Sequence, residues 1–143
     1  MSDALEFEDR LSAVNSRISI ACDKAGRSLD SVKLLAVSKT KPPEAVDLAA
    51  NCGLRFFGEN KVQEAQAKSP VCSEHIEWHL IGHLQSNKAK IAAKLFNMIH
   101  SVDSLKLMRA LDSHAEQALP ILLQVNIAGD AAKFGLKPEE VKM

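Results

Sequence analysis

Apolar residues recur at three- and four-residue steps through Leu5, Leu11, Val14, Ile18 and Ala21 or Cys22, a spacing that predicts a helix over residues 5–25. Gly26 stands where that helix should end, since glycine enters the left-handed region at no steric cost. From Lys33 onward the pattern becomes short apolar runs separated by amphipathic stretches. Strands are predicted at 33–37, 54–57, 76–81, 98–101 and 121–127. Helices are predicted after Pro42-Pro43 and at 61–68, 87–95 and 104–119. Gly58-Glu59-Asn60 reads as a turn, and Lys137-Pro138-Glu139-Glu140 as the start of another helix.

Strands apolar throughout, alternating with helices about every 20 residues, imply an α/β fold of βα units with both sheet faces covered. A (β/α) barrel and an open doubly wound sheet both fit that pattern. No GxGxxG follows the first strand, which favours the barrel. No repeat, low-complexity tract or Pro/Gly-rich linker divides the chain, so residues 1–143 read as one domain.

Composition excludes more than it suggests. The 18 basic and 18 acidic residues balance, so no overall field points to nucleic acid, an anionic membrane or acidic substrates. The longest apolar runs, such as Pro120-Ile121-Leu122-Leu123, are far too short to span a bilayer. The N-terminus lacks the basic and apolar regions of a signal peptide, and a cytoplasmic protein is expected. Cys22, Cys52 and Cys72 form no CxxC pair and read as idle thiols of a reducing compartment.

Polar groups follow every predicted strand: Ser38 and Lys39; Glu59 and Asn60; His83, Gln85 and Asn87; Ser101 and Asp103; and Asn126. In parallel α/β folds, ligands bind at that end of the strands. Helix capping accounts for Asn60, Asn87 and Ser104. It does not account for a lysine directly at the end of an apolar strand. With its stem in apolar surroundings and its amine at the mouth of the fold, Lys39 would be desolvated, and desolvation favours the neutral amine. A neutral amine attacks an aldehyde, as a Schiff base with pyridoxal 5'-phosphate (PLP) requires; a solvated lysine flanking the strand is the other reading, and the commoner one for such positions. Lys41 reads as a surface charge.

His75, His79 and His83 would align as metal ligands on a helix, but the residues between them read as a strand, which keeps positions four apart out of chelating reach. No metal is expected, and His83, beyond Gly82, reads as a pocket residue. Lys88, Lys90 and Lys94 read as a solvated helix face, with no aromatic interleaving for nucleic acid.

Five segments together resemble one known family: Leu34–Pro42 (LLAVSKTKP), Phe57–Asn60 with Gln63-Glu64, Trp78–Lys88 (WHLIGHLQSNK), His100–Ser104, and Gln124–Ile127 with Lys133–Leu136. They occur in the order of the YggS/PROSC family of PLP homeostasis proteins, over about Leu11 to Glu140. The resemblance implies a (β/α)8 TIM-barrel of the alanine racemase N-terminal type, with about the first five βα units present here. It implies PLP held as a Schiff base on Lys39, with Asn60 and His83 as cofactor neighbours, in a protein that handles vitamin B6 without established catalysis. B6-dependent apoenzymes are the implied partners, and a monomer is implied for the full fold. An amino-acid racemase or decarboxylase on the same barrel is the enzyme alternative; a racemase's second base is typically a Tyr from another domain, and this chain has no Tyr. The family's phosphate-binding segments follow the region present here. A truncated product, or a fragment able to oligomerise through its open sheet, is therefore expected, with weakened hold on the cofactor; a fragment that binds no cofactor and persists as an interaction module is the remaining alternative.

Overall fold

The computed structural model describes residues 2–141, with side chains described from Ala4 onward. After helix α1 (Ser2–Lys24) the chain runs β1 (Leu35–Val37), α2 (Pro43–Asn51), β2 (Phe56–Glu59), α3 (Val62–Lys68) and β3 (Glu77–Leu80). It continues through α4 (Ala89–Leu95), β4 (Met98–Val102), α5 (Leu105–Asp112) and β5 (Ile121–Leu123). The strands form one parallel sheet in the order β1-β2-β3-β4-β5. Sequential order without reversal is the pattern of a barrel wall; a doubly wound sheet reverses at a switch point.

Successive strand residues point to opposite faces, and here the two faces differ sharply. Phe57, Trp78, Leu80, Ile99 and, beyond a register shift in β4, Val102 are buried with Val46, Ala49, Val62, Ala65, Ala89, Ala92, Leu107 and Leu111 of helices α2–α5. Parallel strands joined by right-handed crossovers place all these helices on one side. The opposite face carries Phe56, His79 and His100, whose rings pack together, and Val37 and Leu122, which are exposed. Coverage of both faces was expected; the described residues cover only the helical one.

Several predicted boundaries shift, each for a local reason. Gly58 and Glu59 belong to β2 rather than to a turn, because Glu59 turns into the helical side and is fully buried there. The helix predicted at 104–119 stops at Asp112: Ser113 Oγ donates back to the Ala110 carbonyl, and the following His114-Ala115-Glu116-Gln117 offers no apolar face to continue burial. The fifth strand ends at Leu123, beyond which Val125 makes only an isolated bridge to Leu136. The segment from Pro138 is a 3-10 turn (Pro138–Val141), not an α-helix, within the described residues.

Candidate functional site

The C-terminal strand ends gather the polar residues singled out above. In the β1–β2 register Val37 faces Gly58, so Lys39 and Asn60 each lie two residues beyond a paired position on adjacent strands. Gly58 faces His79 in turn, which places Ile81 beside Asn60 and His83 two residues further out. Lys39 and Asn60 thus share one edge. His83 stands apart from them: its Nδ1 lies 3.1 Å from Asp103 Oδ2, and its ring stacks on Phe134 at 3.6 Å.

Ser38 points into the helical side, so by alternation Lys39 falls on the open face. Its side chain is exposed there. The apolar enclosure expected of Lys39 is therefore not supplied by the described residues, because the face it shares with Val37 is uncovered.

Gly82 joins β3 to the mouth and is indispensable sterically. A Cβ at this position would press into the Asn60 backbone, 2.8 Å from its Cα. The Gly82 carbonyl also accepts a 2.6 Å hydrogen bond from Ser101 Oγ, which ties the end of β3 to β4. Gly82→Ala is expected to cost about 1–3 kcal/mol by overpacking, read as a lowered urea midpoint at unchanged m-value; an unchanged midpoint would mean that the strand ends yield freely.

Behind the Lys39 turn lies a buried ionic cluster that sequence reasoning did not find. Lys68 Nζ, on α3, donates to Glu59 Oε1 (2.8 Å), Glu64 Oε1 (2.8 Å) and the Ser38 carbonyl (2.9 Å). Ser38 Oγ donates to the same Glu59 oxygen at 2.7 Å. Burial alone would lower the pKa of Lys68, but its hydrogen bonds and charge contacts with Glu59 and Glu64 outweigh it, and the ammonium is held above its ordinary value. The hydrogen bond from Lys68 likewise holds Glu64 below the usual carboxylate value. A sequence signal existed in the i,i+4 spacing of Glu64 and Lys68, a pairing usually found on solvated helix faces.

On the open face, His79 Nδ1 and His100 Nε2 lie 2.9 Å apart, with Phe56 against His79. Burial, then the His100 and Lys33 charges, outweigh the opposing pull of Glu77 and lower the pKa of His79; burial lowers that of His100. A lowered folded-state value means the unfolded chain binds protons first. The stability these neutral rings contribute is thus complete above the unfolded value of about 6.5 and is lost as pH falls below it. The melting temperature should decline between neutral and mildly acidic pH, and His79→Gln should flatten that decline. Equal slopes in both proteins would contradict the assignment. No group of three or more metal-ligating side chains occurs among the described residues, nor any helix long and apolar enough to cross a membrane.

Known proteins share this architecture and sequence. The chain is 40% identical over 143 residues to the "Pyridoxal phosphate homeostasis protein" of Vibrio cholerae, covering 94% of this chain and 61% of that relative. It superposes on PipY of Synechococcus elongatus with PLP bound at a TM-score of 0.73 and 37% identity, covering 93% of this chain and 59% of that one. A crystal structure from Bifidobacterium adolescentis matches with a TM-score of 0.83 and 34% identity, over 97% of this chain and 62% of the other. The chain therefore spans about three fifths of the length of these relatives. The family described as "Alanine racemase, N-terminal domain" matches residues 10–143, nearly the whole sequence, and the chain belongs to that family.

Proposed function

We propose that this chain forms the lysine-bearing part of a PLP homeostasis protein, a cytoplasmic carrier that holds the cofactor through Lys39 and releases it to B6-dependent apoenzymes without transforming a substrate. The observation that carries the reading is an exposed primary amine just past the C-terminal end of β1, level with Asn60 just past the end of β2. The PLP-bound state of the similar PipY supports it.

The donor set suits the cofactor. An amine matches its aldehyde, while an amide and an imidazole suit the oxygens and nitrogen of its ring. When bound, PLP supplies an aldehyde that condenses with a primary amine and releases water. The remaining work belongs to the protein. Lys39 would provide the attacking nitrogen and Asn60 would offer hydrogen bonds at the adjacent strand end, while His83, paired with Asp103 and stacked on Phe134 away from that edge, would offer a ring nitrogen.

An absorbance titration with PLP tests the reading. A visible band that saturates with PLP and disappears on adding hydroxylamine is expected; absorbance no greater than that of PLP with free lysine would reject it.

A further inference from the structure

Among the described residues no side chain bonds Lys39, whereas both its neighbours in the turn are held from beneath. Ser38 is buried, its N–H donates to the Gly58 carbonyl, its hydroxyl to Glu59, and its carbonyl accepts from Lys41 N and from Lys68 Nζ. On the other side Thr40 has φ +64°. A β-branched residue in that region is strained, and such strain persists only where surrounding contacts over-determine it. The contact is present: the Thr40 N–H donates to Glu64 Oε1 at 2.5 Å, the same oxygen that receives Lys68.

We propose that Glu64, braced by Lys68 and Glu59, is a positioning residue that holds the Ser38–Lys41 turn so that the Lys39 amine projects from the strand end in one orientation. This rests on the cofactor reading above and adds to it the device that selects Lys39 over other lysines. Glu64 reaches across from α3 to Thr40 and Lys68, and among the described residues it makes no hydrogen bond or ion pair with Lys39. Its carboxylate carries two jobs at once: it accepts the strained turn's free N–H and it fixes the ammonium that grips the Ser38 carbonyl. The geometry is set before any ligand arrives, which reduces the ordering cost of binding.

The test compares the wild-type chain with Glu64→Ala and Glu64→Gln by two readouts. Amide hydrogen exchange at Thr40 and Lys41, measured without PLP, reports the turn itself. Labelling by PLP and borohydride, followed by peptide mapping, reports the share of label on Lys39 relative to the exposed Lys90 of α4. Glu64→Ala should speed exchange at Thr40 about tenfold, a factor in keeping with loss of a charge-assisted hydrogen bond, and the Lys39 share should fall by a similar factor. Glu64→Gln retains an acceptor at the same reach and should restore most of both. Melting curves establish that each variant is folded; if Glu64→Ala is not, Glu64→Gln at lowered temperature is compared with wild type, and a smaller shift in both readouts is expected. Unchanged exchange, or faster exchange with an unchanged Lys39 share, would overturn the positioning role while leaving the cofactor reading intact. Wild-type chain with protected Thr40 but no selective label on Lys39 would overturn the cofactor reading itself, and the positioning role with it.

Discussion

Replacing Lys68 by methionine is expected to destabilise the chain by about 3–5 kcal/mol, the range observed when one partner of a buried ion pair is removed. The side chain of Glu59 is fully buried, and that of Lys68 is 6% exposed. Glu59 Oε2 already has no hydrogen-bond partner among the described residues, so its carboxylate relies on Lys68 and Ser38 through Oε1 alone. Without the ammonium, a buried carboxylate would face only a hydroxyl, and the Ser38 carbonyl would lose a donor. Urea unfolding measures the loss. The double variant Lys68→Met with Glu59→Gln should recover part of it, because the uncompensated charge is gone. A double variant no more stable than the single would show that the cost lies in packing instead of charge.

Replacing Lys39 by alanine is expected to have the largest effect on ligand binding. Loss of the covalent attachment should weaken PLP binding at least about tenfold, equivalent to about 1.4 kcal/mol. Folding should be unaffected, since the Lys39 side chain is exposed and makes no hydrogen bond or ion pair among the described residues. Equilibrium dialysis at fixed salt, alongside a melting curve, separates the two effects. Binding unchanged in a folded Lys39→Ala chain would assign the cofactor elsewhere.

The barrel wall was legible because its signal is repetitive. Apolar runs at regular spacing put the strands in place within a few residues, and the sequential parallel order follows from short right-handed crossovers. The place of Lys39, just past the end of β1, was legible for a related reason: a charged residue directly after an apolar strand is conspicuous. The Ser38–Glu59–Lys68–Glu64 cluster was not. Its members lie just past β1, at the end of β2 and on α3, and each alone looks like a cap, a turn residue or a surface charge. Glu59 was assigned to a turn because glycine and asparagine flank it, whereas tertiary burial extends β2 through it. The His79–His100 contact was hidden in the same way, since alternation assigns each ring to a face but only the β3–β4 register brings them together. Exposure was misjudged at Lys39 because a strand end enclosed by a complete barrel and one on an uncovered face have the same local sequence.

The most direct test of the central claim is to incubate the wild-type chain with PLP, reduce with borohydride and map the modified peptides. The account predicts one dominant site, Lys39, modified well before the exposed lysines of α4. Label spread evenly over the surface lysines, with Lys39 no more reactive than Lys90, would contradict it.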